Sequence, residues 1–137
     1  MADAIQRIDE ARMIGRGISF PFRLGPDARV AMSSGSDNVR EAIRTILLTE
    51  VGERIMLPNF GARLQSSLFE PNSAATRRLL EKEISEALER WEPRLQLQAV
   101  RVEGDAADGA AVVVTIEYKL RTTQAPEKIS LSVSLAV

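Results

Sequence analysis

The chain has 137 residues, of which 45% are hydrophobic and 27% charged, and its formal net charge at pH 7 is -1. A chain of this length buries roughly two-thirds of the surface that its unfolded form exposes, so we expect a folded domain, and the near-neutral charge argues against a nucleic-acid partner. It contains neither cysteine nor histidine, which excludes disulfides, thiol nucleophiles, Ser-His-Asp catalysis and imidazole metal sites.

The N-terminus, "MADAIQRIDEARMIG", does not resemble a signal peptide, because acidic residues interrupt any apolar stretch. No apolar run approaches the ~20 residues that span a bilayer. We therefore expect a soluble protein with no membrane insertion. We also expect no cofactor and no small-molecule substrate. The lack of cysteine is compatible with assembly in a reducing cytoplasm.

A short N-terminal strand is predicted in "GRGISFPFR", where Ile18, Phe20 and Phe22 alternate with polar residues or proline. Pro21 would place this strand at the edge of a sheet. The following segment, "LGPDARVAMSSGSD", has the glycine, proline and serine content of a loop.

The first helix is predicted over residues 38–49, with Asn38 and Glu41 as a capping pair. Its apolar residues recur at the spacing of one buried helical stripe: Val39, Ala42, Ile43, Ile46 and Leu47.

A second helix is predicted to begin after Pro71, with Asn72 or Ser73 as its cap, and to run to Trp91. Its buried stripe comprises Leu80, Ile84, Ala87, Leu88 and Trp91. Pro93 ends this helix, because a proline disfavours helical geometry in the residue before it.

Three strands are predicted after the second helix. The first contains Leu95 and Leu97, and its alternation slips at Ala99 and Val100, which indicates a bulge. In the second strand, alternation places these residues on one face: Val112, Val114, Ile116, Tyr118 and Leu120. In the third strand, the corresponding face consists of Ile129, Leu131, Val133, Leu135 and Val137.

These elements predict an α+β fold: two main helices packed on a small antiparallel sheet, with a C-terminal three-stranded meander and a short N-terminal strand. We expect residues 1–14 to form an arm and residues 15–137 to form a single domain.

The joint "RWEPRLQL" between the second helix and the first of these strands combines unusual residues. If it is extended, Glu92, Arg94 and Gln96 point outward together. The residues that point inward are then Trp91, Pro93, Leu95 and Leu97. Periodicity alone favours a helix stop with a solvated ion pair over a binding site.

The last strand has no lysine, proline or inward-pointing charge between Ile129 and the chain end. At a sheet edge it would be a template for a strand of another chain. The alternative, that the N-terminal strand or a loop covers this edge, is equally open.

Paired carboxylates are the one catalytic device that the composition leaves available. Glu53, Glu70 and Glu92 lie outside the periodic segments, and a glycoside hydrolase needs two carboxyl groups about 5 to 10 Å apart. Sequence spacing does not establish such a pair, so we expect no enzyme and name no catalytic residue. The alternative from the residues is a carboxylate-dependent glycoside hydrolase.

Three segments, "GRGISFPFR", "IRTILLTEVGERIMLPNFGARLQSSLFEPN" and "ALERWEPRLQL", resemble the baseplate wedge, sheath-initiator family of contractile injection systems in their order and spacing. That family includes baseplate proteins of contractile phage tails and their counterparts in type VI secretion and extracellular injection particles. Some of its members carry a lysozyme-like label, so the alternative that the resemblance implies is a carboxylate-dependent peptidoglycan hydrolase.

The resemblance implies a structural role in the baseplate of a phage tail or tail-like particle. Glu92, Pro93 and Arg94, anchored by Trp91, would dock on the helical core bundle of the wedge. The edge strand containing Ile129, Leu131, Val133 and Leu135 would pair with strands of sheath subunits. The sixfold symmetry of the family implies six copies in the assembled baseplate.

Overall fold

A computed structural model describes residues 13–64, 73–107, 109 and 111–134 of the chain. The backbone divides into two compact units, the first ending at Thr45 and the second beginning at Ile46. Residues 1–12 of the predicted arm lie outside the described residues, as does Leu135 of the predicted last strand. The single domain expected for residues 15–137 stays a prediction.

The first unit contains a two-stranded antiparallel ribbon of β1 (Arg16–Ile18) and β2 (Met32–Ser34), in which Ile18 lies opposite Met32. The predicted N-terminal strand is therefore shorter than its alternation indicated, since Phe20 and Phe22 lie beyond β1. The segment of β2 was predicted as a loop, and that prediction was wrong. Its three residues carry no apolar alternation, and its pairing with β1 defines it as a strand.

The first helix, α1 (Gly35–Leu48), buries the predicted apolar stripe at Val39, Ile43, Ile46 and Leu47. It begins three residues earlier than predicted, so the capping pair was wrong. Asn38 and Glu41 lie inside the helix, where the Asn38 amide donates to the Ser33 hydroxyl at 3.0 Å and that hydroxyl donates to the Glu41 carboxylate. Their side chains thus connect α1 to β2.

The second unit contains α2 (Ala74–Trp91), which has the predicted cap. The Ser73 hydroxyl accepts a hydrogen bond from the backbone N–H of Thr76 at 3.2 Å, satisfying one of the free donors of the first turn. The predicted buried stripe is confirmed at Leu80, Ile84, Ala87 and Leu88.

An antiparallel meander follows, with β3 (Leu95–Gly104), β4 (Ala111–Leu120) and β5 (Pro126–Ser134) in the order β3-β4-β5. The register shifts between Leu97 and Ala99, which confirms the predicted bulge. The predicted inner face of β4 is buried at Val112, Val114, Ile116, Tyr118 and Leu120. The fold is α+β, as the sequence indicated.

Helix α2 packs against β3. The Glu81 carboxylate of this helix accepts a hydrogen bond from the backbone N–H of Val102 at 3.0 Å. Because β4 occupies the other side of β3, this contact lies at the outer edge of the sheet. It satisfies one backbone N–H donor of that edge. The meander therefore has one edge beside a helix.

The segment between the helices is closed by a tight backbone contact at Gly61. The Ala62 N–H donates to the Thr49 carbonyl at 2.9 Å, and Glu50 forms a parallel bridge with Ala62. Gly61 has φ +112°, and a Cβ atom built there would lie 2.2 Å from the Thr49 carbonyl oxygen. Only glycine fits both the backbone angle and the space.

We predict that Gly61→Ala lowers the free energy of unfolding by about 3 kcal/mol or more, because a positive φ costs about 1 to 3 kcal/mol and the steric clash adds to it. Gly52→Ala is the matched control, since Gly52 has φ +93° but no atom within 4 Å of the added Cβ. It should cost about 1 to 2 kcal/mol. Urea unfolding followed by circular dichroism measures both, and equal losses would contradict the role of the contact.

Candidate functional site

The corner, residues 92–94, joins the end of α2 to the start of β3. The Glu92 N–H donates to the Leu88 carbonyl at 2.9 Å, as the last bond of the helix. Pro93 then stops the helix, because its ring disfavours helical geometry at Glu92, whose backbone has φ -126° and ψ 82°. The next strand begins at Leu95, so the corner is a turn.

A two-pronged ion pair closes this turn. The Nε and Nη2 atoms of Arg94 donate to Oε1 and Oε2 of Glu92, each at 2.7 Å. The Arg94 backbone N–H donates to the same Oε1 at 3.2 Å. Parallel charge-assisted bonds of this kind fix the guanidinium in orientation as well as in position.

Arg121, which follows β4, holds the corner from the other side. Its Nε donates to the Pro93 carbonyl at 3.0 Å, and its backbone N–H donates to the Arg94 carbonyl at 2.9 Å. The carbonyls of Pro93 and Arg94 therefore have partners, and the turn is tied to the end of β4. Sequence reasoning missed Arg121, which is 27 residues from Arg94.

The predicted orientation of the corner side chains was partly wrong. Glu92 is buried, with 5% of its side chain exposed, whereas Pro93 is exposed and 29% of the Arg94 side chain is accessible. Alternation of inward and outward side chains holds only within a strand, and residues 92–94 form a turn. Buried Leu95 and exposed Gln96, which lie within β3, do follow the prediction.

The Arg94 guanidinium has a raised pKa, chiefly because of its hydrogen bonds to Glu92. Burial acts in the opposite direction, and the attraction of the Glu92 charge adds to the increase. A group whose pKa rises on folding stabilises the folded state at every pH below its unfolded-state pKa. This stabilisation is lost only as the pH rises through the folded-state pKa. Arg94 therefore stays charged throughout the neutral and mildly alkaline range.

Trp91 is half-buried and packs against the tilted ring of Phe60, a contact that the sequence did not predict. The Phe60 and Trp91 ring centroids lie 5.2 Å apart at 59°. Arg54 covers Phe60 at 4.0 Å and Arg90 covers Trp91 at 5.0 Å, both measured from the guanidinium carbon to the ring centroid. These contacts anchor the end of α2 on the preceding loop through cation-π and aromatic packing.

A cleft of about 270 Å³ lies beside Trp91, with Arg63, Glu83, Glu86 and Arg90 among its lining residues. Ligand pockets have volumes of about 300 to 1,000 Å³ and mostly apolar walls. This cleft is smaller and carries charges of both signs. Within the described part of the chain there is no group of three or more acidic, cysteine or histidine residues that could hold a metal ion.

The strand predicted as a pairing edge is β5, the last strand in the order of the meander. Ile129 is buried, and Leu131 and Val133 are half-buried. Val133 is the last of the predicted pairing residues that is described. Pro126 and Lys128 lie at the start of β5, so its charge-free part begins at Ile129.

Two of the three candidate carboxylates are engaged in hydrogen bonds within the chain. Glu92 is bonded to Arg94, and the Glu53 carboxylate accepts a hydrogen bond from the Glu50 backbone N–H at 2.9 Å. Glu70 lies outside the described residues.

Solved baseplate structures share this fold. A chain of the anti-feeding prophage baseplate superimposes with a TM-score of 0.66 at 24% identity, covering 95% of this chain and 92% of that chain. A chain of the type VI secretion baseplate complex gives 0.60 at 16% identity, covering 72% and 92%. A Geobacter sulfurreducens crystal structure with a provisional tail-lysozyme label gives 0.71 at 34% identity, covering 77% and 95%.

The family model described as baseplate wedge protein gp25 matches residues 33–125, and the chain belongs to this family. The baseplate wedge protein gp25 of Enterobacteria phage T4 is 33% identical over 73 residues, which are 53% of this chain and 55% of that protein. Baseplate protein W of Escherichia phage P2 is 29% identical over 98 residues, which are 72% and 84%. The match thus spans about half the length of the T4 protein, and the predicted family is confirmed.

Among the described helices, neither is long and apolar enough to cross a membrane.

We predict that the Glu92–Arg94 pair couples more strongly than an exposed ion pair on α2. A double-mutant cycle with Glu92→Ala and Arg94→Ala should give a coupling of about 2 kcal/mol, because the carboxylate is buried and bonded twice. The control pair is Lys82 and Glu86, with side chains 71% and 68% exposed and 3.9 Å apart. It should couple by about 0.5 kcal/mol or less in the same urea experiments, and similar values for both pairs would refute the structural role.

Proposed function

We propose that the chain is a structural, non-enzymatic component of the baseplate of a contractile phage tail or tail-like particle. It binds the wedge core-bundle proteins through the corner and starts sheath assembly by strand addition to β5. The observation that carries this proposal is the rigid corner, which lies within the segment matched by the gp25 family model. Assembly in the bacterial cytoplasm and six copies per baseplate are parts of the same proposal.

The corner suits docking because its geometry is set before any partner arrives. Glu92 and Arg121 hold the backbone and the guanidinium from within the chain, while Pro93 and part of Arg94 reach the surface. A preorganised surface loses little conformational entropy on binding. In this scheme Arg94 contacts a carboxylate or a helix carbonyl of the wedge, and Glu92 positions Arg94 from beneath.

Strand addition is proposed at β5 because the two edges of the meander differ. The β3 edge lies beside α2, where Glu81 occupies the Val102 N–H. β5 is paired with β4 on one side, and residues 129–134 contain no charge or proline that would oppose another strand. Backbone hydrogen bonds to an open edge supply affinity in this mode of recognition.

We predict that Arg94→Lys weakens binding to the wedge core-bundle protein encoded near this chain by at least about tenfold, because lysine keeps the charge but lacks the planar fork. Arg78→Lys, an exposed position on α2, is the matched control and should bind as the wild type does. Size-exclusion chromatography with light scattering detects the complex, and titration calorimetry measures its affinity. A folded Arg94→Lys variant with unchanged affinity would show that the corner is only a helix stop.

For β5, we predict that one of Ser132→Pro and Val133→Pro blocks sheath initiation without unfolding the sheet. Successive residues of a strand direct their N–H groups alternately to β4 and to the open edge, so one of the two substitutions spares the ladder with β4. Circular dichroism and urea unfolding identify that variant. It should still bind the wedge protein but no longer seed polymerisation of the purified sheath subunit, and normal seeding would exclude strand addition.

A peptidoglycan hydrolase is the second candidate, supported by the tail-lysozyme label of the G. sulfurreducens relative. The hydrogen bonds of Glu53 and Glu92 give these carboxylates structural partners. We predict no decrease in turbidity of cell-wall suspensions between pH 4 and 7 at about micromolar protein. Clearing that is lost on Glu53→Gln, Glu70→Gln or Glu92→Gln would establish the enzyme instead.

A further inference from the structure

The pairing of β1 and β2 continues to a turn, so the ribbon as a whole comprises residues 16–34, and residues 20–22 form a knuckle in it. Ala31 accepts a hydrogen bond from the Ser19 N–H at 3.0 Å and donates one to the Arg23 carbonyl at 2.9 Å. Ser19 and Arg23 thus bond to the same residue of the facing segment. The three residues between them therefore have no counterpart in that segment. The Phe20–Pro21 peptide bond in this segment is cis.

The knuckle carries two exposed aromatic rings within an apolar ribbon. Phe20 is 41% and Phe22 67% exposed. Four further large apolar side chains of the ribbon are between 41% and 61% exposed: Ile18, Leu24, Val30 and Met32. Exposed apolar clusters of this kind mark interaction surfaces, and a two-stranded ribbon gains stability when such a face is covered.

The charged residues of segment 13–34 itself are mostly positive. Between residues 13 and 34 the charged residues are three arginines, Arg16, Arg23 and Arg29, and one aspartate, Asp27. The Asp27 carboxylate accepts a hydrogen bond from the Arg29 backbone N–H at 3.2 Å. A partner for this surface would therefore combine an apolar pocket with carboxylates at its rim.

The tip of the ribbon is held by its own backbone. The Gly25 N–H donates to the Arg29 carbonyl at 2.8 Å, and the Ala28 N–H donates to the Gly25 carbonyl at 3.0 Å. Leu24 and Val30 form an antiparallel bridge just before this turn. Arg23 and Arg29 are thus attached to a closed hairpin end rather than to an open loop.

We propose that the knuckle is a further docking site, which inserts Phe20 and Phe22 into an apolar pocket of a different subunit of the particle. Aspartate and glutamate side chains at the rim of that pocket pair with Arg23 and Arg29. Aromatic residues and arginine dominate binding energy at such interfaces. This site rests on the proposed baseplate function, but it uses neither the corner nor β5.

The test is site-specific photo-crosslinking in particles purified from the organism that encodes the chain. Phe22→p-benzoylphenylalanine keeps an aromatic ring at the knuckle and should crosslink to another type of subunit, at a peptide containing aspartate or glutamate. Leu79→p-benzoylphenylalanine on α2, at a residue 45% exposed, is the matched control and should give less than about a tenth of that yield. Mass spectrometry maps the crosslinked peptides.

Charge reversal tests the acidic rim separately. Arg23→Glu combined with Arg29→Glu should lower the crosslinking yield of position 22 at least about tenfold, whereas Arg78→Glu should not change it. Circular dichroism of the purified variants checks that the ribbon substitutions leave the fold intact.

The remaining outcomes separate this proposal from the baseplate function. Crosslinks from Pro93→p-benzoylphenylalanine without any from position 22 would overturn the knuckle site and leave the baseplate role standing. Crosslinks from position 22 to lipid or to a second copy of this chain would also overturn it. Particles that lack the chain altogether would overturn both proposals.

Discussion

The two-pronged bond between Glu92 and Arg94 is the interaction on which the corner depends. It neutralises a carboxylate that is almost wholly buried, and a buried charge without a partner would cost several kcal/mol by order of magnitude. The same bond orients a guanidinium that is partly accessible. Stability and surface presentation therefore come from one pair of side chains, since removing either one leaves the other misplaced.

The corner also connects elements that are distant in sequence. Arg121 joins the end of β4 to the turn, and Phe60 joins the preceding loop to Trp91. Gly61 allows that loop to approach Thr49 closely. The end of α2 is thus fixed from several directions, which leaves the corner little freedom to reorganise.

The described residues carry several features that protein subunits use to recognise one another. The charged groups of the corner bond to one another, and the cleft beside Trp91 has walls of mixed charge. By contrast, exposed apolar side chains, arginines and an edge strand offer area, charge complementarity and backbone hydrogen bonds. These are the means by which protein subunits recognise one another.

The local sequence was sufficient for both helices, for the strands other than β2, for the Ser73 cap, for the bulge in β3 and for the family. A buried stripe follows from helical periodicity, an inner face follows from alternation, and a cap follows from a hydroxyl at the helix start. It was insufficient for β2, whose three residues become a strand only through pairing with β1. It also placed the start of α1 three residues late, because Asn38 and Glu41 bond to Ser33 rather than cap the helix.

The sequence by itself determined that Pro93 ends α2 and that glutamate and arginine flank it. Only the tertiary structure decided that Glu92 faces inward, because a turn interrupts the alternation on which the outward prediction relied. Likewise, the contacts of Arg121 with the corner and of Phe60 with Trp91 depend on how the chain folds back. Periodicity describes neighbours along one element, whereas these contacts join residues that only packing brings together.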